Sequence, residues 1–340
     1  PFNRKAAIFY FVTGIFLAYF GGNIANGPGR AMCSDVVPQS QQILVSNICV
    51  LDNAIAGVVS HMIGALKLYQ YTSFNNETLV LIVSCVFGLV TLTVSVLATP
   101  EEQFKEKRQT NNPISLIRDS FKVMDRNLFF VLLAFFFNAL AGIQLAIQPS
   151  NYIAKQIFHG VPNAPDGLYD SGVSYAQFLA LCQTLFQVAY SFLNTKIVHK
   201  IGLRKAWIVG NSLLLFVDLT FTLYTNKYSL IIPFLIAGTA NIINGSTPYA
   251  YVSLVTPPEK LAGSITLIIF FGNLGGVLAM ITVTMFLGSL PYFAENTGRL
   301  ITISSIFSVM SIICGSIGYS KKKEPVEFKA DEIHQNEDCF

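Results

Sequence analysis

Long apolar runs alternate with short polar connections along the whole chain. Nine can be drawn, at about Ala6–Asn26, Ile43–Leu66, Thr78–Ala98, Leu128–Gln148, Ser174–Leu193, Ala206–Tyr224, Ser229–Val252, Ala262–Leu287 and Leu300–Tyr319. Each is long enough to cross the hydrocarbon of a bilayer as a helix. The pattern therefore predicts an all-α membrane protein of about nine transmembrane spans. The longest connection, Thr99–Asn127, is also the most charged, and it leaves three runs before it and six after. The expected organisation is a three-span helical unit over 1–98, a central loop over 99–127, a six-helix bundle over 128–320 and a disordered tail over 321–340. At the end of the first run, Asn26-Gly27-Pro28-Gly29 is expected to break the helix as it leaves the hydrocarbon. Arg30 and Asp35 follow at once. An arginine at such an exit can meet headgroups, carboxylates or a bound polar ligand.

Composition supports this reading. The chain is 52% hydrophobic and 12% charged, with a mean hydropathy of +0.53, whereas soluble domains carry about 25% charged residues. A net charge of +3, without a basic and aromatic patch, argues against nucleic acid as a partner. The six cysteines, Cys33, Cys49, Cys85, Cys182, Cys314 and Cys339, have neither pairing nor metal spacing and read as small core residues. All of the 22 Lys and Arg residues except Arg4, Lys5, Lys67, Lys155, Lys227 and Arg299 fall on one set of connections, which should face the cytosol. The central loop and the tail are then cytosolic, and the sequon Asn76-Glu77-Thr78 lies outside. Lys321, Lys322 and Lys323 read as a topology anchor. The chain starts at Pro1 and enters an apolar run within five residues, so it is expected to be part of a longer protein.

Polar residues inside the runs are the candidates for chemistry. Asp52, in NICVLDNAIAG, lies near the middle of the second run. A carboxylate there costs roughly 2.5–3.5 kcal/mol on insertion scales, so it should face a partner or a wet cavity. It could couple transport to protons, bind a substrate, or simply hydrogen-bond to a neighbouring Asn or Ser. Asp218 is the other acid within a run and reads as a group satisfied by one partner. His61 reads as an interfacial residue or a proton relay. Asn241, Asn244 and Pro248 share a helical face, the pattern of a polar, interrupted helix bordering a cavity; interhelical amide bonding is the alternative. Gln183 and Gln187 also share a face. Between the fifth and sixth runs, Gly202 is followed by Arg204 and Lys205, a short basic turn. No nucleophile–base pair, metal cluster or phosphate loop suggests an enzyme.

Several of these pieces together resemble the major facilitator superfamily and, within it, the sucrose–proton symporters of the glycoside–pentoside–hexuronide type. Gly27, Pro28, Arg30, Ala31 and Asp35 match the family's Gly-Pro-x-Arg-Ala turn closed by an Asp, with Asn23 upstream. The Val-Pro-x-x-Gln-Gln stretch after it matches, as do Asn47 and Gly57. Tyr169, Asp170, Gly172 and Val173 match Tyr-Asp-x-Gly-Val, while Gly202, Arg204 and Lys205 resemble the superfamily loop motif, with His199 where its acid belongs. Pro248 and Asn273-Leu274 resemble the tenth and eleventh spans. By this resemblance the nine spans are the fourth to twelfth of twelve, without the first three.

The resemblance implies a sugar transporter that works by rocking two helix bundles about a central site. Asn23, Arg30, Asn47, Asn241, Asn244 and Asn273 would offer hydrogen bonds to a sugar, and Tyr249 could stack on it. Arg30 would pair with Asp52 or Asp35, or bind substrate directly. Gly27, Pro28, Asp35, Asp170, Gly202 and Arg204 would be structural. The partners are then a small sugar and the lipid bilayer, with no cofactor or metal beyond protons as coupling ion, and the plasma membrane is preferred to the vacuolar one. Two departures bear on coupling. Tyr19 stands where the family has an Asp, and Pro149-Ser150-Asn151-Tyr152-Ile153-Ala154-Lys155-Gln156 stands where it has Asp-Thr-Asp-Trp-Met-Gly-Arg-Glu. Asp52 becomes the candidate coupling acid, with a passive carrier as the alternative. A sensor or accessory membrane protein, or an inactive truncated carrier, that keeps the fold without transporting is the alternative reading.

Overall fold

The computed structural model describes residues 37–67, 76–98, 124–162, 166–256 and 258–319, together with Tyr10, Thr13, Gly14, Leu17, Gly21, Asn26, Gly29, Arg30, Cys33, Tyr71, Thr72, Phe121 and Ala164. Every regular element among them is helical. In chain order they are α1 (Gln42–Ala65), α2 (Asn76–Ala98), α3 (Arg126–Tyr152), α4 (Leu168–Ile201), α5 (Leu203–Thr220), α6 (Ile231–Val255), α7 (Pro258–Ala279), the short α8 (Pro291–Glu295) and α9 (Gly298–Gly318). Two helices change pitch before they end: α3 runs on as a π-helix over Ile153–Ile157, and α7 over Met280–Phe286. Six stretches are long and apolar enough to cross a membrane: Gln42–Ala65, Arg126–Ile157, Leu168–Ile201, Leu203–Leu223, Lys260–Ser289 and Gly298–Gly318. The all-α membrane architecture expected from the apolar runs is the one found.

Some helices outlast their apolar runs. The fourth run, drawn to Gln148, stays helical to Ile157, and the fifth, drawn as Ser174–Leu193, spans Leu168–Ile201. Hydropathy marks where the chain lies in hydrocarbon. The backbone hydrogen bonds of a helix continue past that depth into polar turns such as Lys196–Lys200. A second correction concerns the first run. Asn26, Gly29, Arg30 and Cys33 are all helical, so helix is found on both sides of the Gly-Pro cluster, whose Gly27 and Pro28 lie outside the described residues. Neighbouring helices and side chains make such residues tolerable in membrane helices, and the Arg30 Nε donates to Asn26 Oδ1 one turn back at 3.1 Å. The central loop over 99–120 and the tail over 320–340 lie outside the described residues.

Packing follows the logic of a lipid environment, where apolar contact gives helices no preference for one another over lipid and close backbone approach decides. The face that α9 buries carries Gly298, Ser304, Ser305, Ser308, Ser311, Cys314, Gly315 and Gly318. Its larger residues Ile306, Val309, Met310, Ile313 and Ile317 are exposed. Small residues thus let α9 lie against α3 and α5, and Trp207 of α5 fills the space opposite Gly315. Bulkier cores form between α3, α6 and α7, around Leu132, Val252 and Ile268, and around Tyr152, Val217, Phe221, Phe234 and Ile301. Asp125 caps α3 by accepting from the Leu128 amide at 2.7 Å. On the other side α1 packs along α4 and α6, and α2 lies lightly on α1.

Two motif glycines have visible reasons. Gly202 joins α4 to α5 at φ +81°, ψ 156°, a backbone region closed to side chains with a Cβ. At Gly172 a Cβ would run into the backbone of Ala154, so this glycine lets α4 close on the π-helical end of α3. Among the described cysteines only Cys314 is buried; Cys33, Cys49 and Cys182 are half-buried and Cys85 is exposed. The expectation of core cysteines therefore holds at one position, because in a membrane a small apolar thiol faces lipid at no penalty. Cys339 lies outside the described residues.

Candidate functional site

Apart from Asp218 and Ser308, the polar residues that join spans fall into three groups, and the first is a seam where Arg30 and α1 meet α4 and α6. Asn47 sits near one end of it. Its Nδ2 donates to the Ser191 carbonyl at 2.9 Å, and its Oδ1 accepts from Asn194 Nδ2 at 2.8 Å. Asn194 also donates to Ser246 Oγ on α6 at 3.2 Å. One turn further, Val50 packs where Gly245 leaves α6 without a side chain. Arg30 reaches the same region, its guanidinium 4.0 Å from the centre of the Tyr249 ring, a cation–π contact with a buried aromatic. Cys49 lies close to Arg30, Cys33 and Asp52. Towards the other end of α1, Gly57 faces Thr184, and the His61 Nδ1 meets Gln177 Oε1 at 2.8 Å. The seam thus runs the length of α1, polar at both ends and small in the middle. His61 is a satisfied residue of this seam.

A second group lies within the helices that follow the central loop. Asn138 Nδ2 donates to Asn211 Oδ1 at 3.0 Å, and Asn211 Nδ2 donates to Asn244 Oδ1 at 3.1 Å. This ladder of amides ties α3, α5 and α6 together, and Asn211 also donates to the Trp207 carbonyl at 3.1 Å. Asn244 is buried in it. Asn241, one turn away on α6, is exposed, so the two asparagines of that face have different surroundings. Pro248 is buried too; near it Ser246 and Thr247 donate to the carbonyls of Ile242 and Ile243 at 2.7 and 2.6 Å.

Sequence reasoning passed over the third group. Gln144, fully buried on α3, accepts at Oε1 from Gln148 Nε2 at 3.2 Å and from Thr284 Oγ1 at 3.1 Å, and donates to the Ala279 carbonyl at 3.3 Å. Thr284 stands on the π-helical turn of α7, the kind of irregularity that clusters at functional sites. The signal was available, since Gln144 and Gln148 are four apart and share a face. Asn138, Asn194 and Asn211 had no such partner in the sequence; their convergence is tertiary.

The remaining sequence candidates separate. Asp52 is exposed, and among the described residues no cation pairs with it. Arg30 is turned to Tyr249 and Asn26 rather than to Asp52. Asn273 is exposed on α7. Asp170 lies in the first turn of α4, where an acid suits the helix dipole. Arg204 and Lys205 open α5, where basic residues oppose the dipole, as suits residues placed for topology rather than for helix stability. Asn23, Gly27, Pro28 and Asp35, as well as Tyr19, lie outside the described residues. Of the stretch that replaces the family's acidic motif, Pro149 and Tyr152 are buried within α3. Gln156 Nε2 donates to the Glu295 carbonyl at 2.6 Å.

What the side chains supply is amides, hydroxyls and one arginine against an aromatic ring. Such groups bind and release neutral polar solutes and hold helices together. With a polytopic bundle split by a polar seam, this defines a membrane carrier by architecture. The sequence matches the Major Facilitator Superfamily model over residues 2–280, and the chain belongs to that superfamily of membrane transporters. Among solved structures it is similar in fold to the E. coli fucose:proton symporter FucP, with 13% sequence identity and a TM-score of 0.59 over 92% of this chain and 77% of that one. No curated protein matches the sequence.

Proposed function

We propose that this protein carries a sugar, sucrose or a related glycoside, across a membrane by alternating access, with Asp52 as its proton-coupling acid. The observation that carries the reading is the seam between α1 and the helices α4 and α6. It is held by neutral amides, a histidine and one arginine–aromatic contact; the amide hydrogen bonds can be broken and remade without leaving a bare charge in the membrane, and Arg30 on leaving Tyr249 is free to meet a polar solute. Rocking of one side against the other would open it from either end. Neutral amides with Arg30 suit a ligand rich in hydroxyls, each of which donates one hydrogen bond and accepts others. Tyr249 offers a ring face for the apolar side of a sugar once Arg30 moves off it. The fold shared with a sugar:proton symporter supports the class of solute.

The replaced acids at Tyr19 and along Pro149–Gln156 favour a second reading, a passive carrier of the same solute. Uptake of labelled sucrose by transport-deficient cells expressing the protein, at external pH 5 and pH 8 with and without a protonophore, decides between them. Uptake that rises in acid and collapses with the protonophore is the expected result. Uptake indifferent to both makes the protein a facilitator. Absence of saturable uptake with the protein present in the membrane overturns the sugar reading and leaves another solute or an accessory role.

A further inference from the structure

Asp218 stands apart from the seam. It is fully buried near the end of α5, and its Oδ2 accepts from Ser308 Oγ of α9 at 2.8 Å. The other oxygen, Oδ1, is buried without a hydrogen-bond partner. On its own helix and turn, Val217 and Phe221 beside it pack with Ile301 of α9, and Leu214, one turn back, packs with Phe307, which adjoins Ser308. These walls supply no compensating charge.

Among the described residues, the elements packed on α5 leave the carboxyl without a basic neighbour. On α9 the one charged residue is Arg299, nine positions from Ser308 and so about 13 Å along the helix; it is stacked on Tyr292 and paired with Glu295. Cys314 belongs to the Trp207 cluster. No charged residue occurs on α6, whose Asn244 is bound to Asn211 and whose Tyr249 lies under Arg30. On α3, Tyr152 packs against Phe221, Arg126 is at the far end, and Lys155, on the π-helical continuation, is half-buried one turn past Tyr152 and makes no ion pair with Asp218. The charged residues of α4, Asp170, Lys196, His199 and Lys200, are exposed near its ends, and its Tyr175 donates to the Lys227 carbonyl. One hydroxyl donor does not balance a carboxylate withdrawn from water.

We propose that Asp218 and Ser308 form a proton-binding site between α5 and α9. The charge count and the lining select the ligand. One carboxylate with one proton is neutral, whereas a metal ion would need a shell of oxygen ligands that one free carboxylate oxygen and one hydroxyl in apolar surroundings do not supply. Oδ1 is the atom free to take the proton, and Ser308 holds Oδ2 in place. The bound proton keeps the α5–α9 contact neutral, and its release places a bare charge there. This site depends neither on the seam nor on the identity of the transported solute.

Thermal unfolding of the full chain in detergent tests it, followed by the fluorescence of Trp207, the single tryptophan, which packs on α9. Scans run from pH 5 to pH 9 in sodium buffers and in choline buffers. A site that holds a proton more tightly in the folded chain than in the unfolded one makes stability full at acid pH and lowers the folding equilibrium by up to about tenfold per pH unit as pH rises. With the proton as ligand that fall is the same in both salts, and stability restored at pH 9 by sodium overturns the proton as the ligand. The dependence that distinguishes the wild type disappears in Asp218→Asn. Identical pH and sodium profiles for the wild type and Asp218→Asn overturn the proposal. Should that variant fail to fold, Ser308→Ala, which keeps the carboxyl and removes its donor, must shift the midpoint of the profile; an unmoved midpoint overturns the proposal equally.

Discussion

Replacing Asn47 by alanine removes both hydrogen bonds that its carboxamide makes to α4, the one from Asn194 and the one to the Ser191 carbonyl. Interhelical hydrogen bonds in membrane proteins average about 0.6 kcal/mol each and reach about 1.7. Two of them lost from the closed seam correspond to about 1.2 to 3.4 kcal/mol, or about 8- to 300-fold in the balance between closed and open seam, at 1.4 kcal/mol per decade. Val50 reports that balance, because it is 6% exposed and packs against Gly245 while the seam is closed. In a cysteine-free background carrying Val50→Cys, the rate of modification by a maleimide measures the fraction of time that the seam is open. Asn47→Ala should raise that rate about 8- to 300-fold. Ile55→Cys, on the half-exposed face of α1, should react equally fast with and without the substitution. An unchanged rate at Val50→Cys refutes the seam as the moving contact, and an equal rise at both positions means that α1 has merely loosened.

Four further outcomes follow from the same geometry. Arg30→Ala should abolish uptake without loss of protein from the membrane, and Tyr249→Leu should loosen the same contact by about 0.5–2 kcal/mol, read as faster modification of Val50→Cys; unaffected uptake in Arg30→Ala removes the role assigned to the arginine. Asn211→Leu leaves Asn138 and Asn244 without partners and should cost about 1–3 kcal/mol of stability, measured as a lower unfolding temperature in detergent, with the seam unaltered. Gly202→Ala forces a Cβ into a backbone with φ +81° and ψ 156° and should cost about 1–3 kcal/mol, again read by thermal unfolding. Asp52→Asn should leave a carrier whose uptake no longer differs between external pH 5 and pH 8; retained pH dependence would move coupling to another acid.

The split between what was legible in the sequence and what was not has a physical cause. Membrane depth is a one-dimensional property, so the apolar runs that became α1, α3 and α9 could be read from hydropathy, and the glycine between α4 and α5 from its place between helices. Helical spacing is nearly as local. Asn241 and Asn244 share a face in the sequence as they do in the helix, and the overlooked pair Gln144 and Gln148 could have been found in the same way. Spacing does not say which face meets which neighbour. It therefore could not anticipate that Asn244 is bound in the ladder with Asn211 while Asn241 is exposed, or that Arg30 turns to Tyr249 and not to Asp52.

Sequence alone determined the class of protein, the approximate positions of its helices and the chemical character of its candidates, because hydrophobic length and residue chemistry are carried by each segment on its own. Tertiary structure decided which candidates act together. Asn47 and Asn194 are 147 positions apart and Asp218 and Ser308 are 90 apart, so their hydrogen bonds exist only once helices have packed. In a membrane that packing is chosen by small residues and buried polar contacts rather than by a hydrophobic pattern, and a pairing of that kind is a property of two surfaces that neither segment records by itself.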